Sequence, residues 1–317
     1  MAILAAFGAN VGIAATKLAA FLITGSASML AETVHSAADS CNEILLLVGR
    51  RRARRRGTTE HPFGFARERY FYGFVVAVLL FTVGGLFSVY EGVHKILHPE
   101  PVKSPLIAFI VLGVSICLEA FSLRTAVSRA RAARGQQGWG AFIRDAKAPE
   151  LPVVLLEDTA ALAGLALALI GVTVAVLTGD GAWDGAGSLA IGALLGCVAA
   201  VLATEMKSLL IGEAADAETE SAIVAAIEDG PEVQCVIHLR TVHLGPETVL
   251  VAAKIAVRAD QTAAELAAGI NAAERRVRTA VPIADLIYLE PDLYWPALED
   301  VTDPAVQAAR RAEERHQ

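Results

Sequence analysis

The 317-residue chain is poor in charged residues, aromatic side chains and cysteine. Only 19% of its residues are charged and 6% are aromatic, and the four cysteines form no CxxC pair. Neither a disulfide framework nor a cysteine-based zinc site is therefore expected, and the cysteines are predicted to be small buried hydrophobic residues. The net charge of −7 argues against nucleic-acid binding, because phosphate binding needs an excess of clustered basic residues.

Hydrophobicity is what the chain has in abundance. Hydrophobic residues make up 55% of it, and its mean hydropathy is +0.50, which predicts a membrane protein. A helix needs about 20 apolar residues to cross the hydrocarbon core. Six windows of this length occur, at about 3–24, 28–49, 69–93, 104–127, 151–178 and 186–209. The sequence predicts a polytopic α-helical membrane protein whose residues 1–209 form a domain of six transmembrane helices.

Basic residues set the predicted orientation of these helices. Eight arginines lie between the second and third spans and six basic residues between the fourth and fifth, whereas the alternate loops hold only Lys95 and Lys103. Loops rich in Lys and Arg stay in the cytoplasm. Both termini are therefore expected in the cytoplasm, with the chain in the lipid bilayer of the cell membrane as a multi-pass protein.

The last third of the chain has a different charge and a different hydrophobic period. Residues 210–317 carry nine Lys or Arg against 19 Asp or Glu, whereas residues 1–209 carry 18 against 15. Helical patterns are predicted at about 215–228 and 262–279, and strand patterns at about 233–242, 248–257 and 284–289. The order predicts a cytoplasmic α-β-β-α-β domain of ferredoxin or metallochaperone type over 210–295, followed by a polar, flexible tail at 296–317.

Ionisable residues within apolar spans are energetically costly, so they usually mark a functional site. Four such residues of the second span fall on one helical face: Glu32, His35, Asp39 and Glu43. His35 and Asp39 are one turn apart, so both can reach one small cation. Glu157 and Asp158 begin the fifth span, where acidic residues also serve as partners of the helix dipole. This second acidic pair becomes specific only if it faces the stripe on the second span.

Three strings of the sequence resemble the cation diffusion facilitator family. They are GSASMLAETVHSAADSCNEILLLVG at 25–49, the segment beginning HPFG at 61–99, and LLEDTAALAG at 155–164. The resemblance extends over about 2–295 and is greatest to the zinc transporter 9-like branch. It implies a homodimer, joined through the C-terminal domain, that exports a divalent cation from the cytoplasm in exchange for protons.

The resemblance also implies a transport site with two ligands from the second span and two from the fifth, spaced four residues apart in each. His35 and Asp39 match the first pair and Asp158 the last position, but the remaining position is Val154, which cannot bind a metal. The adjacent Glu157 is expected to replace it. Such an oxygen-rich set makes Mn2+, Fe2+ and Co2+ competitors of Zn2+, which stays the first choice.

The resemblance implies few metal ligands in the C-terminal domain. Family members often end the last strand with His-x-Asp-Pro, where this chain has Tyr288, Leu289, Glu290 and Pro291. The domain is therefore expected to dimerise without a full metal cluster, and no prosthetic group is expected.

Two other functions stay open. The missing ligand at Val154 suggests a dimeric membrane scaffold or metal-responsive regulator that does not transport. An intramembrane metal enzyme is disfavoured, because the sequence has no HExxH motif and no evident nucleophile and base pair.

Overall fold

The computed structural model describes residues 11–12, 14–19, 22, 27–102 and 104–293, without the side chains of residues 27–32 and 35. The first predicted span lies largely outside this description, although its described residues are helical, and the predicted tail at 296–317 lies wholly outside it. The chain divides into two compact units, Met1–Arg56 with Glu68–Lys207 and Gly57–Arg67 with Ser208–Gln317.

The first unit is helical. Its helices are α1 (Ala27–Ala53), α2 (Glu68–Leu97), α3 (Pro105–Arg134), α4 (Trp139–Asp145), α5 (Glu150–Thr178) and α6 (Ala182–Ile211). Four of them, α2, α3, α5 and α6, are each long and apolar enough to cross a membrane. The prediction of a multi-pass helical membrane protein is confirmed at this level, while the count of six spans stays a prediction.

Local sequence explains where these helices begin and end. Arg50, Arg51 and Arg52 form the last turn of α1, where cations interact favourably with the helix dipole, so α1 runs about one turn beyond the predicted span. Pro105 begins α3, at a position where a missing N–H costs nothing. The C-terminal end of α5 is followed by Gly179 at a φ of 71°, a left-handed conformation that favours glycine.

Helices α2 and α6 approach each other closely. A Cβ atom on Gly92 would lie 2.8 Å from the carbonyl oxygen of Gly185, so only glycine permits this packing of the two backbones. One turn away, Lys95 Nζ lies 2.6 Å from Asp184 Oδ2 and joins the same two helices. Between these contacts and the start of α2, residues Leu80–Leu86 form a π-helical segment.

The helices present apolar side chains outward. Phe121 is 72% exposed and Leu177 is 80% exposed, as expected of surfaces that face lipid. Cys41, Cys117 and Cys197 are also exposed, and Cys235 is half-buried, so the prediction that the cysteines are buried is wrong. Lipid tails are as apolar as a protein core, and an apolar sequence context in a membrane helix therefore does not imply burial.

The second unit contains the predicted α-β-β-α-β order. Its elements are α7 (Ala217–Glu228), β1 (Cys235–Gly245), β2 (Thr248–Val257), α8 (Ala263–Ala280) and β3 (Ala284–Leu293). The sheet order is β1-β2-β3, with β1 antiparallel and β3 parallel to β2. Alternate residues of β2, beginning at Val249 and Val251, are buried with Ile223 and Ile227 of α7 in one core. The segment Gly57–Arg67, between α1 and α2, groups with this unit.

Helix capping fixes the starts of α7 and α8. Asp216 Oδ1 accepts a hydrogen bond from the Thr219 amide at 2.7 Å. Thr262 and Glu265 form a reciprocal capping box at the start of α8. Both signals are visible in the sequence, and the helices begin within two residues of the predicted positions.

Arg276 of α8 ties the two helices of this unit together. Its guanidinium donates to the carbonyl oxygens of Ala226 and Ile227 at the C-terminal end of α7 and to Glu232 Oε1. Burial raises the pKa of Glu232, but the hydrogen bond from Arg276, a backbone hydrogen bond and the charge of Arg276 together outweigh this effect and hold the pKa below its usual value. The depressed pKa means that the pair stabilises the fold most when Glu232 is ionised.

We expect Arg276→Met to lower the opening free energy of α7 and α8 amides by about 2 kcal/mol at pH 7, because it removes charge-assisted hydrogen bonds from a mostly buried site. Hydrogen exchange of the full-length protein measures this value. The difference from wild type should shrink as the pH falls from about 4.3 through the depressed pKa of folded Glu232, because the unfolded state binds the proton first and the folded state follows only below that pKa.

The matched control is Arg278→Met on the same helix. Arg278 is 45% exposed and, among the described residues, pairs with Glu274 four residues earlier, so its loss should cost less than about 0.5 kcal/mol. Equal effects of the two substitutions would contradict the role assigned to Arg276.

Candidate metal site between two helices

A polar contact between α1 and α5 lies within the helical unit. Asn42 Nδ2 donates to Glu157 Oε1 at 2.7 Å, and the side chains of Asp39 and Glu157 are also hydrogen-bonded to each other. Asn42 is 0% exposed and Glu157 is 8% exposed. Two carboxyl groups in hydrogen-bonding contact cannot both carry a full charge without a proton or a cation between them. The fifth-span acidic pair therefore does face the stripe on α1, through Glu157.

Asp158 interacts with one residue of α3 and one residue of α1. Its Oδ2 accepts a hydrogen bond from Ser122 Oγ of α3 at 2.9 Å, and it interacts electrostatically with Glu43, one turn after Asp39 on α1. Asp39 with Glu157 and Glu43 with Asp158 thus form two adjacent carboxylate pairs between α1 and α5. The sequence placed Asp158 with Asp39, whereas the direct contact of Asp39 is with Glu157.

Val154 packs in an apolar cluster one turn before Asp158. It packs with Leu155, also of α5, against residues of α3 and α4: Ala126, Ala130 and Phe142. The α5 side chain that contacts Asp39 comes from position 157, whereas position 154 packs against α3 and α4. The short helix α4, absent from the sequence prediction, supplies Phe142 to the cluster that encloses Val154.

The predicted ligand set is only partly within the described side chains. His35 lies on α1 one turn before Asp39, but its side chain, like that of Glu32, is outside the description. Among the residues that are described, no group of three or more His, Cys, Asp or Glu side chains is arranged to hold a metal. The set of His35, Asp39, Glu157 and Asp158 therefore stays a prediction.

A buried cation lies beside the same face of α1. Lys17 is 3% exposed, and its Nζ donates to Ser36 Oγ at 2.8 Å. Ser40, one turn later, donates to the carbonyl oxygen of Ser36 within the same helix. The contact with Ser36 joins Lys17 to α1.

A second charged contact joins α2 to the start of α5. Arg69 Nε lies 2.6 Å from Glu150 Oε1, and the Arg69 NH2 group lies 2.8 Å from Glu150 Oε2. The two side chains are 12% and 24% exposed. Glu150 precedes Glu157 by two turns, about 10 Å along the helix axis, so this bidentate pair fixes α2 to the end of α5 nearest the acidic residues.

We expect Arg69→Met to destabilise the helical unit by about 3 kcal/mol, because it leaves the Glu150 carboxylate mostly buried without its bidentate partner. The midpoint of thermal unfolding in detergent measures the effect. Arg144→Met, at an exposed arginine of α4, is the control and should leave the midpoint unchanged. A charge-swapped double variant, Arg69→Glu with Glu150→Arg, should recover part of the loss. An unchanged midpoint in Arg69→Met would contradict the assigned role.

Ser122 and Asn42 are neutral, so the charge pattern of the sequence does not predict that they belong to the site. Ser122 lies in the apolar run of α3, and only its spacing of three from Glu119 marks it as part of a polar face. Asn42 sits beside the acidic stripe in sequence, but nothing in the sequence indicates that it contacts α5.

In the C-terminal unit, the end of β3 pairs with a lysine. Lys254 Nζ lies 2.8 Å from Asp292 Oδ2 and 3.4 Å from Glu290 Oε1. The hydrogen bond to Asp292 raises the pKa of Lys254. His238 of β1 is in register with Lys254, and Tyr288 of β3 is 56% exposed. The acid that the sequence placed as a remaining ligand, Glu290, therefore interacts with an ammonium group.

Comparison with known proteins identifies the family. A model of the cation efflux transmembrane domain matches residues 3–211. The chain belongs to the cation efflux, or cation diffusion facilitator, family. The "Proton-coupled zinc antiporter SLC30A9, mitochondrial" of Homo sapiens is 33% identical over 231 residues, which are 72% of this chain and 41% of that protein. "Metal tolerance protein C4" of Arabidopsis thaliana is 30% identical over 249 residues, 77% of this chain and 54% of that protein.

The predicted family and the resemblance to the zinc transporter 9-like branch are confirmed by these matches. The chain spans about half the length of the curated relatives it matches. Among solved structures, the cadmium form of a MamM C-terminal domain variant is 22% identical with a TM-score of 0.23, covering 24% of this chain and 95% of that one. The names of the cation efflux relatives describe transporters, in agreement with the expectation that the chain is not an enzyme.

Proposed function

We propose that this cation efflux protein exports divalent cations, Zn2+ foremost and Mn2+, Fe2+ or Co2+ as competitors, from the cytoplasm in exchange for protons. The observation that carries the proposal is the hydrogen-bonded contact between Asp39 and Glu157, from two helices of a multi-pass membrane protein. Opposed carboxylates in such a place are costly unless a proton or a cation lies between them. A site that alternates between these two occupants is the chemical basis of an antiporter.

The proposed ligands are His35, Asp39, Glu157 and Asp158. Helix geometry supports the first pair, since residues four apart on α1 lie on one face. Glu157 contacts Asp39 directly. Asp158 follows Glu157 on α5, and its carboxylate contacts Ser122 and interacts with Glu43. One imidazole nitrogen and three carboxylates form a set that accepts Zn2+ and tolerates harder cations.

Protons and metal compete for these groups. A cation binds neutral imidazole and ionised carboxylates, so each metal that enters releases protons and each proton that returns weakens metal binding. Histidine titrates at an unperturbed pKa of about 6.5, which makes this competition sensitive near neutral pH. Protons arriving from the outer side then displace the cation there and return the protein to its starting state.

The assembly follows from family and sequence. We infer six transmembrane helices, both termini in the cytoplasm, the cell membrane as location, and a homodimer joined through the C-terminal domain. The arginine-rich loops support the orientation. The human relative's name describes a mitochondrial zinc antiporter, and proton coupling and zinc come to this chain by similarity.

One alternative has an observation in its favour. The family position at Val154 holds a residue that cannot bind metal, and Val154 packs in an apolar cluster. This arrangement fits a dimeric membrane scaffold or metal-responsive regulator that has lost transport.

Zinc flux into inside-out vesicles distinguishes the two functions. Vesicles that contain the full-length protein should accumulate Zn2+ when their interior is made acidic, and a protonophore should abolish that accumulation. Vesicles without the protein provide the background. Flux equal to this background, at a protein level verified in the same membranes, would favour the scaffold and overturn the transporter.

A further inference from the structure

Asn42 is a fully buried polar side chain at the contact between α1 and α5. It is 0% exposed, and its amide nitrogen donates to Glu157 Oε1 at 2.7 Å. A primary amide also carries a carbonyl oxygen with two lone pairs. Within the part of the chain that the structure describes, no donor reaches Asn42 Oδ1. A buried acceptor in that state is unfavourable and calls for a physical explanation.

The surroundings of Asn42 indicate which kind of partner its Oδ1 atom binds. Asp39 lies three residues earlier on the same face of α1, and both Asp39 and Asn42 contact the one carboxyl group of Glu157. The neighbouring oxygens of Asp39 and Glu157 are acceptors when ionised and offer no proton to a third oxygen. A metal cation is a partner that can satisfy two carboxylates and an amide oxygen at once, and amide oxygens are established ligands of hard divalent cations.

A purely structural role explains the contact less well. An asparagine that only joins two helices would be expected to use both ends of its amide on protein groups. Ser40 on the same helix illustrates the structural case, because its hydroxyl donates to the carbonyl oxygen of Ser36.

We propose that Asn42 is a specificity-determining residue of the transport site. Its amide nitrogen holds the Glu157 carboxylate against Asp39, and its Oδ1 is a neutral oxygen ligand of the transported cation. This inference rests on the proposed function. A neutral oxygen needs no deprotonation before metal binds, so Asn42 adds affinity without adding a proton to the exchange, and it favours hard cations such as Mn2+ relative to Zn2+.

Metal binding by the purified full-length protein tests the assignment. Asn42→Leu, similar in volume and unable to hydrogen-bond, should weaken Zn2+ binding by about tenfold and Mn2+ binding by more, as expected when a positioning group and a ligand are lost together. Asn42→Ser keeps a small hydrogen-bonding group but shortens its reach, and it should weaken Mn2+ more than Zn2+ as well. Asn42→Asp, which keeps an oxygen in place, should bind Mn2+ about as tightly as wild type. Ser40→Ala is the matched control and should bind both metals as wild type does.

Transport measurements separate this inference from the proposed function. In vesicles, Asn42→Leu should raise KM for Mn2+ more than KM for Zn2+, because the lost oxygen ligand favours the harder cation. If Asp39→Ala is inactive while Asn42→Leu and Asn42→Ser keep wild-type affinities and the wild-type Zn2+ to Mn2+ ratio, the role of Asn42 is wrong and the transporter stands. If wild type carries no flux but Asn42→Leu still loses metal affinity, the transporter is wrong and the metal site at Asn42 stands.

Discussion

Asp39→Ala is expected to reduce proton-driven zinc transport by more than about 100-fold, beyond the range typical for residues that only support a metal ligand. Among the described side chains of α1, Asp39 is the one carboxylate that contacts Glu157. Without it, a cation at the proposed site keeps only the carboxylates of Glu157 and Asp158 and loses one third of its negative ligand charge. The initial rate of Zn2+ uptake into inside-out vesicles, corrected for protein level, measures the effect.

The control for Asp39→Ala is an acid elsewhere in the helical unit. Glu91→Gln changes a half-buried acid of α2 that belongs to neither carboxylate pair, and its rate should stay within about twofold of wild type. A rate in Asp39→Ala close to that of Glu91→Gln would remove Asp39 from the site.

Glu157→Ala and Val154→Ala are expected to differ by more than about 50-fold in kcat/KM for zinc, because one removes a proposed ligand and the other removes two methyl groups from a packed cluster. Glu157 contacts both Asp39 and Asn42, whereas Val154 packs against the cluster of α3 and α4. Val154→Ala should lower stability modestly and leave the affinity for Zn2+ unchanged. Vesicle uptake over a range of Zn2+ concentrations gives both parameters.

Position 154 offers an additional comparison. Val154→His places a metal-binding imidazole at position 154, and if this position were directed at Asp39 the substitution would raise the preference for Zn2+. The packing of Val154 predicts no such gain. A marked gain in Zn2+ selectivity in Val154→His, with Glu157→Ala retaining activity, would show that α5 is rotated relative to the arrangement described.

The acidic stripe of α1 was accessible from the sequence because charged residues in an apolar helix are rare and costly. The same reasoning could not decide which α5 acid contacts Asp39. Glu157 and Asp158 are adjacent in sequence and differ by about 100° around the helix, so the choice depends on the rotation of α5. That rotation is fixed by tertiary contacts, among them the packing of Val154 and the ion pair of Glu150 with Arg69.

Neutral polar residues mark a site only weakly. Asn42 and Ser122 both contact α5 acids, yet serine and asparagine in membrane helices commonly satisfy themselves within the helix, as Ser40 does. The cysteines were misjudged for a related reason, since lipid and a protein core are equally apolar. Burial in a membrane helix therefore has to be taken from packing.

The order of helices and strands in the C-terminal unit was predicted, with boundaries within about four residues of the observed ones. The alternation of Val249, Val251, Ala253, Ile255 and Val257 gives β2 one buried face, and strand β2 occupies the predicted range. The capping box at Thr262 fixes the start of α8. What the sequence did not provide is the pairing of Lys254 with the acids of β3, because cross-strand partners depend on register.

The central claim is that metal and protons compete for the carboxylates between α1 and α5. Its most direct test follows lumenal pH and zinc together in proteoliposomes of the purified full-length protein, with no pH gradient imposed. Addition of Zn2+ should drive zinc inward and protons outward through the wild type in a fixed ratio, and Asp39→Ala should move neither. Zinc entry without proton movement, or equal signals from wild type and Asp39→Ala, would contradict the account.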